Sequence, residues 1–185
     1  EVSAIFYRLL SDDARGVYTT SIHIFSDAQN SWASTEIATL TNAGILKGYT
    51  DGTFRPNAAI TRAEFAAIAA RFDKLSGGDK TFTDVPTDHW AYAAITSAAE
   101  KGWVNGYADG TFRPNNAITR AEVVKITNAV LERTCDKDYV ADNLSKLISY
   151  NDLTSAYWAY YDVLEASNAH DYKVVNDVET WVSLK

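Results

Sequence analysis

Two arginines in this 185-residue chain stand in identical surroundings and carry the type of charge that binds an acidic group. Arg62 and Arg120 each follow a Thr and precede Ala-Glu. Thr-x-x-Glu is a capping box, so each Arg is predicted at the first position of a helix. The amides and dipole of a helix N-terminus favour an anion, and a guanidinium adds a planar fork that matches a carboxylate. From these residues alone, a helix cap without a ligand is the favoured interpretation, and anion binding is the alternative.

The two arginines belong to a sequence that occurs twice. The segment from Trp32 returns at Trp90, an offset of 58 residues (90 − 32). Both copies contain Gly-Tyr-x-Asp-Gly-Thr-Phe-Arg-Pro-Asn and then Ala-Ile-Thr-Arg-Ala-Glu. A Phe-x-Asp triplet precedes each copy and ends at Asp27 or Asp84. Self-similarity at a fixed period indicates tandem structural units.

Half-units stand at the two ends of the chain. Residues 1–10 resemble the helix that starts at Glu64, and Tyr150-Asn151-Asp152 followed by Trp158 resembles the start of a unit. We expect these halves to meet in space and complete a third, split unit. The predicted boundaries are 1–22 for the second half of the split repeat, 23–78 and 79–135 for complete repeats, 136–172 for the first half, and 173–185 for a tail that matches no repeat.

Each unit is predicted to fold as a helix, a turn and a second helix. The residues expected to cap the first helix are Ser31 and Gly44 in one unit, and Thr87 or Asp88 and Gly102 in the next. The Asp-Gly pair that follows predicts a tight turn, and one Asp per turn offers too few ligands for a calcium loop. The capping box then opens the second helix.

The tryptophan and the early aspartate of each unit have two interpretations. Trp32 and Trp90 continue an apolar stripe at helical spacing, so burial in the core is favoured over a role as an exposed ligand contact. Asp27 and Asp84 are expected to cap a turn or to hold a nearby arginine. These residues therefore enter as candidate ligand contacts beside a structural alternative.

Composition excludes several classes of function. The net charge of −7 argues against a nucleic-acid binder, and no run approaches the ~20 apolar residues that a membrane span needs. The single Cys135 cannot form an internal disulfide, and we find no Cys/His cluster for a metal and expect no cofactor. Because the chain lacks Met and opens at Glu1, we do not expect this to be a native start.

The full set of motifs, in order and twice, resembles the S-layer homology family. That resemblance covers roughly residues 1 to 170 and rests on Phe-x-Asp, the Trp-Ala helix, Gly-Tyr-x-Asp-Gly-Thr-Phe-x-Pro and Ile-Thr-Arg-Ala-Glu. It implies a mainly α fold: helix-turn-helix repeats in a pseudo-threefold, three-prong spindle around a central helical bundle. It also implies grooves between the prongs that hold the sugars of a wall polysaccharide bearing acidic pyruvyl groups.

The family's ligand contacts map onto eight residues of this chain. The resemblance implies Arg62 and Arg120 as main contacts, helped by Asp27, Asp84, Trp32, Trp90, Gly48 and Gly106. The chain departs from the family pattern in two places. The first half-unit begins at the Glu without the preceding Thr-Arg-Ala, and residues 167–172 stand where the third Gly-Tyr-x-Asp-Gly-Thr-Phe is expected. The third groove is therefore expected to be incomplete or inactive.

These observations predict a non-catalytic anchor on the outside of a Gram-positive cell. Its expected partner is a polysaccharide linked to peptidoglycan, with other surface-layer proteins as a second possibility; we expect no nucleic acid and no membrane insertion. The alternative is a module for protein association or self-assembly within a surface layer, without glycan binding. A wall hydrolase is disfavoured because no paired acids, GxSxG, HExxH or Cys/His signature recurs.

Overall fold

The computed structural model describes residues 1–176 and 178–185 as two compact units, Glu1–Glu100 with Gly106–Ala117 (unit 1), and Lys101–Asn105 with Ile118–Lys185 (unit 2). The chain is mainly helical, as expected. Its described helices are α1 (Val2–Leu9), α2 (Asp12–Tyr18), α3 (Ser34–Asn42), α4 (Arg62–Phe72), α5 (Tyr92–Glu100), α6 (Arg120–Val130), α7 (Lys137–Asn143) and α8 (Tyr160–Ser167). None of these is long and apolar enough to cross a membrane.

Six of the described helices pack in three pairs that follow the repeat. In unit 1, α1 packs against α3, and α4 against α5; in unit 2, α6 packs against α8. The α1 and α4 helices share an aromatic cluster, in which the Phe6 ring lies 5.6 Å from that of Phe65 and 5.3 Å from that of Phe72. Ile37 of α3 and Ile95 of α5 are almost wholly buried. The apolar stripes of the sequence therefore form the core of unit 1, without their tryptophans.

The first helix of each complete repeat begins later than predicted. α3 starts at Ser34, because Ser31–Ala33 form a turn in which the Ser34 amide donates to the Ser31 carbonyl at 3.0 Å. α5 starts at Tyr92, whose amide donates to the His89 carbonyl at 2.9 Å. The C-cap expectation is confirmed, since Gly44 and Gly102 have φ of 75° and 73°.

The residues before the first repeat contain a helix that the repeat comparison did not predict. α2 opens at Ser11, whose hydroxyl accepts from the Ala14 amide at 3.2 Å, and its first turn carries two aspartates. None of its residues is buried. The Ser-Asp-Asp sequence is a recognisable N-cap signal, but this segment matches neither complete repeat.

The tail left unassigned by the sequence begins within a β-hairpin. Strands β1 (His170–Val175) and β2 (Val178–Leu184) pair antiparallel, with Val175 opposite Val178 at the turn and a register shift between Asp171 and Tyr172. β-Branched residues on both sides of a short polar turn were the available signal. The hairpin starts where the third Gly-Tyr-x-Asp-Gly-Thr-Phe loop is absent.

Trp181 anchors this hairpin in the core of unit 2. The core comprises Val140, Leu147, Tyr160, Leu164 and Trp181. The indole Nε1 of Trp181 donates to Glu165 Oε2 at 3.0 Å, and its ring stacks on His170 with centroids 3.8 Å apart. The Trp181 amide donates to Asp136, which also caps α7. One strand of the hairpin is thereby bound to two helices.

A buried ion-pair network completes the attachment of the hairpin. Arg133 donates from Nε and Nη2 to both oxygens of Glu179, each at 2.9 Å, and its Nη2 lies 2.8 Å from Glu165 Oε1. Burial and the charge of Glu179 raise the pKa of Glu165. Burial also opposes the ionisation of Glu179, but hydrogen bonds from Arg133 and His170 lower its pKa overall. The positive charge of Arg133 therefore offsets the cost of burying the carboxylates of Glu165 and Glu179.

Arg133→Met should destabilise the chain by about 3–5 kcal/mol, because it leaves two buried carboxylates without their cation. The free energy of unfolding in urea at pH 7 measures this loss, and Lys173→Met on the exposed part of β1 is the matched control. The difference between the variants should narrow as the pH is lowered from 7, because the raised pKa of Glu165 favours its neutral form, which does not require a cation. Equal stabilities for the two variants at pH 7 would contradict this account of the network.

Candidate functional site

Each complete repeat carries a loop that is fixed by an aspartate from the start of the same repeat. We call residues 48–56 the first loop and residues 106–114 the second loop. Asp27 accepts from the amides of Phe54 and Arg55 at 3.0 and 2.7 Å. Asp84 accepts from the amides of the equivalent residues, Phe112 and Arg113, each at 2.7 Å. These bonds from the loop amides lower the pKa of Asp27.

Both loops close on themselves with the same bonds. In the second loop the Tyr107 amide donates to the Thr111 carbonyl at 2.8 Å, and Asp109 accepts from the Thr111 hydroxyl at 2.6 Å. Arg113 donates to Asp109 at 3.0 Å, and its guanidinium lies 3.8 Å from the centre of the Tyr107 ring. Arg113 also adopts a φ of 59°, which is uncommon for a residue other than Gly. The first loop repeats this arrangement with Asp51, Arg55 and Tyr49.

Gly48 and Gly106 allow the early phenylalanine to approach the loop. A Cβ on Gly48 would lie 2.3 Å from Cε1 of Phe25, and a Cβ on Gly106 would lie 2.5 Å from Cε1 of Phe82. Each Cβ would also lie 2.8 Å from a backbone oxygen of the loop. The geometry therefore gives these two glycines a packing role; whether they also contact a ligand stays a prediction.

The N-terminus of α4 is covered by residues of the second repeat. The amide of Arg62 donates to the carbonyl of Asn116 at 2.9 Å, and the amide of Ala63 donates to that of Pro114 at 3.0 Å. The amide of Glu64 donates to the Thr61 hydroxyl at 3.2 Å. The expectation that open amides here attract an anion is wrong, because these three amides already have acceptors. A ligand can reach this helix end only through side chains.

Both predicted capping boxes are confirmed. Thr61 with Glu64, and Thr119 with Glu122, exchange the two reciprocal hydrogen bonds of that motif. Tyr49 of the first loop adds a 2.6 Å hydrogen bond to Glu64, which raises the pKa of the Tyr49 phenol. The first loop is thus tied to the start of α4 as well.

Arg62 and Arg120 share a motif but not an environment. Arg62 is 7% exposed, its Nε donates to the Phe112 carbonyl at 2.8 Å, and its guanidinium lies 4.6 Å from the centre of the Phe112 ring and 5.1 Å from that of Tyr107. Arg120 is exposed and belongs to unit 2. The structure therefore joins Arg62, Asp84 and Gly106 through the second loop, and joins Asp27 and Gly48 through the first.

The tryptophans lie on the surface, so the core interpretation is wrong for them. Trp32 and Trp90 are 67% and 62% exposed, because each sits in the turn before its helix and not on the helix itself. Trp158, at the equivalent place before α8, is 54% exposed. Sequence reasoning recognised the Trp158-Ala159 match but did not name Trp158 as a candidate contact. The match of Trp158-Ala159 to the Trp-Ala sequence of the complete repeats was the signal that could have identified Trp158 as a candidate contact.

The family model for the S-layer homology domain matches residues 24–66 and 81–124. The chain belongs to this family. Each matched segment begins just before the early aspartate, Asp27 or Asp84. It ends near the start of the helix that the capping box opens, α4 or α6. They contain all eight predicted contacts, including Arg62 and Arg120. An S-layer homology domain is thus present twice in this chain, at the two complete repeats.

Three relatives of this S-layer homology chain carry names that describe their roles. A cellulosome-anchoring protein of Acetivibrio thermocellus is 36% identical over 181 residues, which are 94% of this chain and 39% of that protein. Cell surface glycoprotein 1 of the same organism is 34% identical over 198 aligned residues, covering 100% of this chain and 8% of that protein. An amylopullulanase of Thermoanaerobacterium thermosulfurigenes is 32% identical over 148 residues, 77% of this chain and 8% of that enzyme. The chain therefore spans well under two thirds of the length of each.

The buried cluster in unit 2 contains the residue types of a metal site, but the guanidinium of Arg133 already lies among them. Glu165, His170 and Glu179 bring ligand atoms within 4.8 Å of one another. The Nη2 of Arg133 lies 2.8 Å from Glu165, 2.6 Å from His170 and 2.9 Å from Glu179. A metal ion would have to displace this guanidinium, so we assign the cluster to the S-layer homology chain's stability.

Gly106→Ala should destabilise the chain by about 1–3 kcal/mol, since the added Cβ collides with Phe82 and a loop carbonyl. Gly16→Ala is the control, because a Cβ there meets nothing within 4 Å and lies in a helix. It should leave stability unchanged or raise it by up to about 1 kcal/mol. Thermal unfolding of both variants measures the contrast, and a Gly106→Ala protein as stable as the wild type would refute the packing role.

The two loops should keep their structure to lower pH than ordinary aspartates allow. Hydrogen bonds from Thr53 to Asp51, and from Thr111 to Asp109, with help from the loop arginines, lower the pKa of each aspartate to about 2. A lowered folded pKa means that the stabilisation is complete above the ordinary value of ~3.9 and is lost as the pH falls through about 2.

Amide NMR signals of Thr53 and Thr111 followed from pH 6 downwards test this expectation. Both signals should change little until the pH is below the ordinary aspartate value. In Asp109→Asn the Thr111 signal should lose this acid transition while the Thr53 signal keeps it, which makes the first loop an internal control. A transition near pH 4 in the amide signals of both loops would contradict the lowered pKa values of Asp51 and Asp109.

Proposed function

We propose that this chain anchors a larger protein to the bacterial cell wall by binding a polysaccharide linked to peptidoglycan. The observation that carries the proposal is the double S-layer homology match, in a chain whose relatives include a cellulosome-anchoring protein and a cell surface glycoprotein. An amylopullulanase shares the same segment over 8% of its own length, which suits an attachment part and not a catalytic domain. We place the chain outside the cell, at its surface.

The exposed tryptophans support a saccharide as the ligand. Large indoles that lie 54–67% exposed at three equivalent turns contribute little to the core. An indole face covers the apolar side of a sugar ring while the ring's hydroxyls stay in water. Trp32, Trp90 and Trp158 therefore suit a repeating polymer, which can engage several of them at once.

Cationic side chains support an acidic sugar, such as a pyruvylated one. Arg120 is exposed at the start of α6. Arg55 and Arg113 also lie on the surface of the two loops, where each is already paired with a loop aspartate. A charge-assisted contact contributes about 1.5–3 kcal/mol, which is too little for lasting attachment by itself. Two or three such contacts on one polymer raise the avidity by a factor of ~10²–10⁴. We propose Arg62 as a contact through its guanidinium alone, because its helix amides are taken.

The finer architecture is part of this proposal. From the family resemblance we carry over the pseudo-threefold spindle, the boundaries 1–22, 23–78, 79–135 and 136–172, and the completion of a split repeat. The grooves between its prongs would then be the sugar sites.

Self-association within a surface layer is the second candidate function. Val17, Ile22 and Ile24 are 72–80% exposed within one short segment, and exposed apolar groups of this kind favour protein contacts. Sedimentation at increasing concentration separates the two functions. Association that depends on these residues, without any binding to walls, would favour assembly over glycan anchoring.

Trp32→Ala combined with Trp90→Ala should weaken binding to cell walls about tenfold or more, because each indole contributes about 0.5–1.5 kcal/mol of stacking. Binding is measured by co-sedimentation with sacculi of Acetivibrio thermocellus, either native or freed of their secondary polysaccharide. Native sacculi should retain the wild type and stripped sacculi should not.

Two matched variants make this test specific. Tyr18→Ala removes a partly exposed aromatic at the end of α2 and should bind like the wild type, while Arg120→Gln should weaken binding without unfolding. Substitution of Arg62 is less informative, since it also removes the bond to Phe112. Equal retention on native and stripped sacculi would overturn the glycan proposal.

A further inference from the structure

The third helix pair differs from the other two in a way that bears on ligand binding. In all three pairs a Trp-Ala sequence precedes the second helix: Trp32 before α3, Trp90 before α5 and Trp158 before α8. The third pair has no Gly-Tyr-x-Asp-Gly-Thr-Phe loop after it, since residues 167–172 run into the hairpin. Any ligand contact at Trp158 must therefore come from the helices and the turn themselves.

A lysine replaces a buried alanine at the equivalent position of the partner helix. Aligning Glu1, Glu64 and Glu122 brings Ala4, Ala67 and Lys125 into register. Ala4 and Ala67 are 6% and 3% exposed. Lys125, on α6, reaches across to the turn before α8, where its Nζ lies 5.6 Å from the centre of the Trp158 ring. A cation thus stands beside an exposed indole in this pair only, within the part of the chain that the structure describes.

The surroundings leave this ammonium available for an anion. Lys125 forms no salt bridge with a described residue. The nearest acidic position on its own helix, Glu122, is occupied with the amide and hydroxyl of Thr119, each at 2.8 Å. On the facing helix, the backbone carbonyl of Asp162 accepts from the Asn128 side-chain amide at 2.9 Å, and the Asp162 carboxylate forms no salt bridge with Lys125 among the described contacts. Tyr157, 40% exposed with its ring 5.6 Å from that of Trp158, widens the aromatic surface.

We propose that Lys125, Trp158 and Tyr157 form a binding subsite for a carboxylate-bearing sugar. The indole and phenol rings contact the apolar face of the pyranose, and the ammonium pairs with its carboxylate. The subsite replaces the contacts that the missing third loop does not supply, so the third helix pair binds although its prong is absent. This inference rests on the proposed glycan-binding function for its biological meaning, but its chemistry can be tested alone.

The experiment titrates the ¹⁵N-labelled 185-residue chain with glucuronate and, separately, with glucose, following the indole Nε1–H signal of Trp158. Glucuronate should shift this signal in a saturable way, and glucose at the same concentration should not. Lys125→Gln should weaken glucuronate binding about tenfold to a hundredfold, the range for loss of one charge-assisted contact. Trp158→Ala should remove it, as judged from the Tyr157 signals.

Lys137→Gln is the matched control. Lys137 lies in the same unit and also stands over an aromatic ring, with its Nζ 4.9 Å from the centre of Tyr161. This variant should bind glucuronate like the wild type, which separates a local carboxylate contact from a general loss of positive charge. Equal affinities for Lys125→Gln and the wild type, or equal responses to glucose and glucuronate, would overturn the subsite.

The outcome is separable from that of the anchoring proposal. If Trp32→Ala with Trp90→Ala abolishes wall binding while Lys125→Gln leaves glucuronate binding intact, the anchor stands and the subsite fails. If the wild type ignores native sacculi but binds glucuronate through Lys125, the subsite stands and the wall anchor fails.

Discussion

A carboxylate that accepts two consecutive backbone amides from a loop 27 to 29 residues further along the chain organises each complete repeat. Asp84 holds the amides of Phe112 and Arg113, and this fixes the carbonyl of Phe112 in place for the side chain of Arg62. The same loop then presents Pro114 to the first turn of α4. The geometry of one repeat's arginine therefore depends on an aspartate of the next repeat.

This dependence explains why two identical motifs give two different arginines. Arg62 is enclosed because the second loop lies against the start of α4, whereas the sequence provides no third loop for Arg120. A capping box specifies how a helix begins, and it does so equally well in both repeats. The contacts of the arginine at that position depend on the residues that pack over it. These residues differ between the two repeats.

The β1–β2 hairpin stands where the third unit lacks the Gly-Tyr-x-Asp-Gly-Thr-Phe loop. Arg133 compensates two carboxylates, while Trp181 fills the core of unit 2 and bonds to Glu165. Buried charges are tolerated when their cation and hydrogen bonds are complete, and here they bind β2 to α8 and to the segment after α6. Beside this network, the turn at Trp158 is exposed and Lys125 of α6 is half-buried.

The sequence alone determined the features that are local or repeated. Capping boxes, glycine C-caps, Asp-Gly turns and the helix stripes follow from short-range chemistry, and the motif order was enough to indicate the family. The sequence did not determine the exposure of Trp32 and Trp90, because helical spacing cannot show that each helix starts only after its tryptophan. It did not reveal that Asn116 and Pro114 occupy the amides of α4, nor that Lys125 reaches Trp158, since these contacts join residues more than 30 positions apart. Only the packing of one helix or loop on another decides such contacts, because their energy depends on distance in space and not on separation along the chain.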